Sequence, residues 1–240
     1  MKNSLYLIVF AFLLESCNHY YYVPNTQNVP LMKEKNEFQL GAFYGGGSES
    51  ESAEVQAAYA ITDHVGIAGN YIFSKGGNEE NYDYGNGKCI DGAIGYFKPV
   101  GDDGIFEVYG GLGTGSQHHE YEMGSYSDIN NTKFYIQPAY GISIPWFDIA
   151  ISTRLSRISY HNIRKQNIND SEVRDNLNYL AGQTHFFMEP ALTLRLGWKN
   201  VKAQFQYIYS GYLGSSHYSL FEDQHISFGI SLSFAERFKQ

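Results

Sequence analysis

Residues 226–234 read ISFGISLSF. Ile226, Phe228, Ile230, Leu232 and Phe234 fall on one face of an extended chain, and Ser227, Gly229, Ser231 and Ser233 on the other. A helix would scatter apolar residues spaced by two around its circumference, so the period decides for a strand. The same alternation recurs upstream. Ala203, Phe205, Tyr207 and Tyr209 oppose Lys202, Gln204 and Gln206, and Ile149, Ile151, Thr153 and Leu155 oppose Asp148, Ala150, Ser152, Arg154 and Ser156.

Working outward, the pattern predicts ten strands near 36–45, 51–61, 64–74, 88–98, 104–116, 131–143, 147–159, 184–196, 200–212 and 224–236. Each is long enough for a tilted membrane-crossing strand, which needs roughly 9–11 residues. The connections fall into two classes. Those at 62–63, 100–103, 144–146 and 197–199 are tight, whereas 75–87, 117–130, 160–183 and 213–223 are long and polar, with a short exception at 45–50. Alternating strands joined by short turns at one end and long loops at the other describe a closed antiparallel barrel in a bilayer, where only strand pairing can satisfy the backbone. The expected fold is all-β, a single transmembrane barrel of about ten strands with eight as the alternative. The short turns face the periplasm and the long loops face outward.

Composition agrees. Mean hydropathy is −0.35 and no apolar run of about 18 residues follows the first residues, which excludes a helical membrane protein. Aromatic residues make up 16% of the chain, with 21 Tyr and 16 Phe, as expected where rings line both membrane interfaces. A net charge of −8 argues against nucleic acid as a partner. Tyr59, Tyr96, Trp146 and Trp198 lie at or near the tight turns and form a candidate girdle at one depth.

The chain opens with Lys2 and an apolar run from Leu5 to Leu14, too short to span a membrane and laid out as a secretory signal over residues 1–16. Leu14, Glu15, Ser16 and Cys17 resemble a lipoprotein signal, which implies that Cys17 becomes the lipid-modified N-terminus; Glu15 departs from the usual residue between them. Acylation of Cys17 would leave Cys89 without an intrachain partner. Residues 17–35, with Tyr20, Tyr21, Tyr22, Pro24 and Pro30 among polar residues, read as an extended tether from that anchor to a barrel spanning 36–240. An even strand number returns both termini to the periplasm, which suits a tether starting in the inner leaflet.

The tyrosine and proline segment from Tyr22 to Leu31, leading into a first strand from Phe38 to Tyr44, resembles the small outer-membrane barrel lipoproteins of the Bacteroidota, within the porin-like barrels. That resemblance implies a cell-envelope protein of a Gram-negative cell, held in the outer membrane and anchored through Cys17. Ser227, Gly229, Leu232 and Phe234 resemble the signal read by the barrel assembly machinery, a polar residue, a glycine and two spaced hydrophobics. Here the chain runs on to Gln240 rather than ending on an aromatic.

Extending the alternation points Glu37, Glu54, Asp91, Glu107, Asp148 and Glu189 into the lumen together with Lys133, Arg154, Arg195 and Lys202. Mixed charges in a narrow barrel are expected to pair across it and fill it. The sharper alternative is a narrow channel for small solutes whose selectivity these charges set.

Enzymatic and metal readings find less support. Ten-stranded barrels include the omptin proteases, but none of His118, His119, Glu120, Glu122, Asp128, His161, Asp170, His217, Glu222, Asp223 and His225 matches an omptin motif. His217 beside Ser215 or Ser216 is the one candidate pair for a lipid A modifying activity at the outer rim. His118 and His119 are neighbours that a strand points to opposite sides, so they cannot converge on a metal with Glu120 and Glu122. Gly110, Gly111, Gly113 and Gly115 lack the spacing and following helix of a phosphate loop, and read as room for large lumen side chains. No catalytic residue, metal or cofactor is called for. The expected role is structural or surface-interacting, with outer-membrane lipids as neighbours and protein or glycan contacts through the long loops.

Overall fold

The computed structural model describes residues 20–78, 83–121, 124–214 and 220–238. Ten antiparallel strands run β1 (Phe38–Gly46), β2 (Ser50–Ala60), β3 (Val65–Asn78), β4 (Asp83–Val100), β5 (Gly104–Tyr121), β6 (Ser125–Ile144), β7 (Phe147–Gln166), β8 (Thr184–Gly197), β9 (Val201–Tyr209) and β10 (Gln224–Phe234). Each pairs with its sequence neighbour from β1 to β9. The last strand lies between β9 and β1, with Phe234 opposite Phe38 and Ile226 opposite Gly46, so the sheet closes on itself. The two residues Gly211–Tyr212 add a short pairing onto β8. Closure satisfies the edges that an open sheet would leave.

The outward positions form an apolar belt. Ile90 and Ile94 on β4, Phe106 and Leu112 on β5, Phe134 and Ile136 on β6, Ile151 and Leu155 on β7, and Phe228 and Ile230 on β10 are all exposed. A contiguous apolar surface of this extent does not face water and is the wall of a transmembrane barrel.

The long connections differ from the sequence expectation. Much of 75–87 and 117–130, and the start of 160–183 as far as Gln166, is strand, because β3, β4, β5, β6 and β7 continue past the belt as paired ribbons. On β5 the outward residues after Leu112 are Thr114, Ser116, His118 and Glu120, and on β7 those after Leu155 are Arg157, Ser159 and His161. The polar change marks where hydrocarbon ends, while the backbone ladder carries on. A helix, α1 (Ser171–Gly182), sits where the sequence predicts only loop. Asp170 caps it, its Oδ1 accepting from Glu172 N at 2.7 Å and Val173 N at 3.4 Å. Leu177 and Leu180, three residues apart, are its buried face.

The largest correction concerns the tether. Residues 20–35 belong to no helix and no strand of the wall, as a tether would, but they do not stand apart from the barrel on its short-turn side. Tyr21, Tyr22 and every residue from Pro24 to Met32 are buried inside the wall. The chain enters at the long-loop mouth, where Tyr21 N donates to Leu220 O at 2.8 Å and Tyr22 bridges Phe221 in parallel. It leaves at the short-turn mouth, where Lys33 Nζ donates to Ser143 O at 2.9 Å and Asp102 O at 3.1 Å. Only then does it turn back into β1. The segment with signal character, 1–16, and Cys17 lie outside the described residues.

Candidate functional site in the threaded lumen

The site is a contact between one extended strand of chain and a ring of inward side chains. An extended segment with no ladder of its own must find a partner for each backbone group from somewhere else. Here the wall supplies them one by one. Thr26 N donates to Glu54 Oε2 at 2.9 Å, and Gln56 Nε2 donates to Thr26 O at 2.7 Å. Gln27 N donates to Gln206 Oε1 at 2.6 Å, and Gln206 Nε2 returns a bond to Gln27 O at 3.0 Å. Gln137 Nε2 donates to Asn28 O, Arg195 to Val29 O, Gln39 to Pro30 O, and Leu31 N donates to Glu107 Oε2. Pro24 and Pro30 have no N–H to satisfy, which suits a buried extended run.

The side chains of the segment are held as firmly. Gln27 Nε2 donates to Glu189 O at 2.6 Å while its Oε1 accepts from Ser152 Oγ at 2.7 Å. Thr26 Oγ1 donates to Ser227 Oγ at 2.9 Å, Asn28 Nδ2 to Asn70 Oδ1 at 3.1 Å, and Lys133 Nζ to Asn25 Oδ1 at 2.9 Å. Contacts therefore reach β1, β2, β3, β5, β6, β7, β8, β9 and β10. They surround the segment.

Apolar packing fixes both ends. At the long-loop mouth Tyr21 and Tyr22 join Ile129, Ile158, Tyr160, Leu177, Leu180, Phe187, Leu220 and Phe221 in one cluster, so α1 covers the opening. At the other mouth Val29 and Leu31 pack with Ile105, Ala139 and Ala150, and Met32 with Ala58, Ala60, Phe97 and Tyr109.

The ten inward charges are all buried. Their pairing differs from a bridge across an otherwise empty lumen. Arg154 and Glu189 face each other on adjacent strands, Nε to Oε2 at 2.7 Å. Asp148 takes Lys202 at 2.5 Å and Arg195 at 3.7 Å, and Asp91 takes Lys133 at 3.7 Å. Glu54 sits 3.0 Å from His225, and Glu37 is gripped by Arg237 at 2.6 Å. Glu107 instead accepts from the threaded backbone at Leu31. The charges pair along the wall, and the middle of the lumen belongs to residues 24–32. Burial of an ion pair is costly unless the remaining lone pairs and protons are bonded. For Arg154 and Glu189 those bonds come partly from the segment: Tyr22 Oη donates to Glu189 at 2.7 Å and Arg154 donates to Asn25 O at 3.1 Å.

Glycines make room for two of the largest inward rings. The Tyr109 ring lies where a Cβ at Gly95 would be, and the Tyr135 ring where a Cβ at Gly111 would be. Tyr135 Oη reaches Asp91 at 2.8 Å, so the glycine, the ring and the Lys133 ion pair form one unit. Gly229 is bounded by the backbone of Ala42 and Phe43 across the closing seam, and Ser227 beside it holds Thr26. Leu232 and Phe234 complete that strand on the outward side. Tyr59, Tyr96, Trp146 and Trp198 are exposed at the short-turn end, and Trp198 is 79% exposed.

The rim holds no convergent site among the described residues, and no group of three or more His, Cys, Asp or Glu could hold a metal there. His118 lies on the outward side of β5 with Asp128 at 2.8 Å and Glu120 at 3.4 Å, whereas His119 points inward and packs on Tyr21. A groove of about 810 Å³ beside His118 runs past Lys88, Asp128, Asn130 and Arg164 on the polar ribbons above the belt. Glu122, Ser215, Ser216 and His217 fall outside the described residues.

Glu222 ties the mouth to the first outer turn. Its carboxylate accepts from Ser50 Oγ and from Glu49 N at 3.3 Å, and burial holds its pKa above the ordinary carboxylate range. A folded-state pKa raised in this way leaves stability intact below the usual carboxylate value and withdraws it as pH rises through the raised one. A Glu222→Gln protein is therefore expected to lose less stability than the parent as pH rises out of the ordinary carboxylate range. Thermal melts of the detergent-solubilised proteins from that range upward check this, and parallel curves would refute it.

The inward residues Gln39, Gln56, Gln137 and Gln206 were not singled out from sequence, although each binds the threaded backbone. Glutamines at inward positions on four strands, together with an Asn, Thr, Gln, Asn stretch at 25–28, are the sequence signal that could have found them.

No family model matches the chain, and no curated protein matches it by sequence. Among solved structures, the chain is similar to the N-terminal β-barrel domain of OprF from Pseudomonas aeruginosa at 12% identity, over 84% of this chain and 99% of that one, with a TM-score of 0.39. It is similar to the translocator domain of the autotransporter NalP from Neisseria meningitidis at 10% identity, over 83% and 87%, with a TM-score of 0.49. A third likeness is to the KdgM porin, at 8% identity over 82% and 99%, with a TM-score of 0.36. Likenesses this distant carry no statement about activity. The closed ten-stranded barrel rests on the chain's own strand pairings.

Proposed function

We propose that the chain is an outer-membrane barrel of a Gram-negative envelope, sealed by its own N-terminal segment, with a structural or surface-interaction role. One observation carries this reading: residues 24–32 fill the lumen and bond to wall strands around them. The apolar belt supplies the contact with membrane lipids, and the Ser227, Gly229, Leu232, Phe234 pattern supplies the handle for barrel assembly. Lipid anchoring through Cys17 belongs to the same proposal. The polar ribbons of β4 to β7, with the groove beside His118, are the surface available to a protein or glycan partner.

A narrow channel would require the segment to leave the lumen, breaking its bonds to Glu54, Gln206, Gln137, Arg195 and Glu107 together. The test is electrical. Folded protein, identified by heat-modifiable mobility on gels and reconstituted into planar bilayers, is expected to show no discrete conductance steps. Steps from the unaltered protein would overturn the sealed-barrel reading.

A further inference from the structure

We infer that this barrel delivers its own N-terminus to the long-loop face, so that the chain before Tyr20, Cys17 included, lies on the same side of the membrane as the long loops. The direction of threading carries the inference. Tyr20 Oη lies 3.5 Å from Ser48 Oγ in the outer turn between β1 and β2. Tyr21 bonds the backbone at Leu220, Glu222 N donates to Tyr22 O at 3.0 Å, and Tyr21 O accepts from both Gln117 and Tyr160. All these groups belong to the ends of strands or loops on the long-loop side. The opposite mouth holds Lys33 and Lys35, the latter through Asp63 at 3.1 Å.

Reach settles where residue 17 can be. Cys17 is three positions before Tyr20, and three extended residues span at most about 10 Å. The apolar band of such a barrel is about 25 Å tall. Cys17 therefore cannot return to the short-turn interface by any path, outside the wall or through a lumen already occupied by residues 24–32. An acyl chain on Cys17 would enter the leaflet at the long-loop face, the reverse of a tether rising from the inner leaflet. The consequence is a barrel that displays its N-terminus while closing its own pore.

The side of the N-terminus relative to the long loops is independent of which side of the cell those loops face, and the same measurement tests the outer-membrane reading separately. Three versions of the full chain, each with one epitope, are expressed: between Asn18 and His19, between Gln166 and Asn167 on the long-loop side, and between Gly101 and Asp102 in a short turn. Antibody binding is compared on intact and permeabilised cells. The 18/19 epitope is expected to behave like the 166/167 epitope and opposite to the 101/102 epitope. Behaviour matching the short-turn epitope would overturn the inference. Binding of the 166/167 epitope on intact cells supports the outer-membrane orientation, and its absence counts against that orientation alone.

A second measurement guards against an insertion that unthreads the segment. Thr26→Cys with Ser227→Cys, in a Cys89→Ser background, places two thiols where two hydroxyls lie 2.9 Å apart. Oxidation is expected to link them in cells, seen as a shift in gel mobility reversed by reductant. No link in heat-modifiable protein would overturn the threading.

Discussion

Replacing Glu189 with Leu is expected to lower the unfolding free energy by about 3–5 kcal/mol, the cost of leaving a buried charge without its partner. The partner is Arg154, fully buried and held by Glu189 through Nε at 2.7 Å and a second nitrogen at 3.3 Å. The same carboxylate accepts from Ser156 at 2.9 Å and from Tyr22 at 2.7 Å, so its loss also loosens the threaded segment at its upper end. Urea titration of the folded barrel in detergent micelles gives the value. A double variant, Arg154→Met with Glu189→Leu, removes both charges and is expected to recover much of the loss, because an apolar pair of similar volume carries no desolvation cost. A single substitution costing under about 1 kcal/mol would show that water reaches Arg154.

Deleting residues 21–32 is expected to turn a silent barrel into a conducting one. The groups this exposes are polar. Glu54, Gln56, Gln137, Arg154, Arg195 and Gln206 would exchange the bonds they make to the segment for bonds to water, as the polar interior of an open barrel does. The wall ladder does not involve the segment, so the truncated chain is expected to keep heat-modifiable mobility. Planar bilayer recordings are then expected to show discrete steps where the full chain shows none. A folded but silent truncation would place the seal in the wall side chains, Tyr109, Tyr135 and the paired charges, rather than in the segment.

The two predictions act on features that the sequence exposes unequally. Arg154 and Glu189 were placed inward by period two alone, because each alternates with outward Leu155 or Met188 on its strand. The segment around Gln27 left no such trace. It has no period, since its residues are surrounded by wall strands rather than set between two faces, and its composition of Asn, Thr, Gln and Pro is that of a solvated linker. The helix α1 is hidden in the sequence for another reason. Its N-cap Asp170 and the spacing of Val173, Leu177 and Leu180 were present, but twelve residues between two strands read first as loop. Likewise the ribbons of β5, β6 and β7 above the belt lost their apolar face where hydrocarbon ended, and polarity alone does not distinguish a paired strand in water from a loop.

By itself the sequence determined the ten crossings, the face each strand turns to lipid, the inequality of the two ends and the burden of charge inside. Those are local properties, set by which side of an extended backbone each residue occupies, and a period of two residues records them directly. Only the tertiary structure decided what fills the barrel and which way the N-terminus points. Thr26 and Glu54 are 28 residues apart, and Gln27 and Gln206 are 179 apart. A segment whose partners are spread over so many strands, most of them distant in sequence, acquires its place only when the wall closes around it.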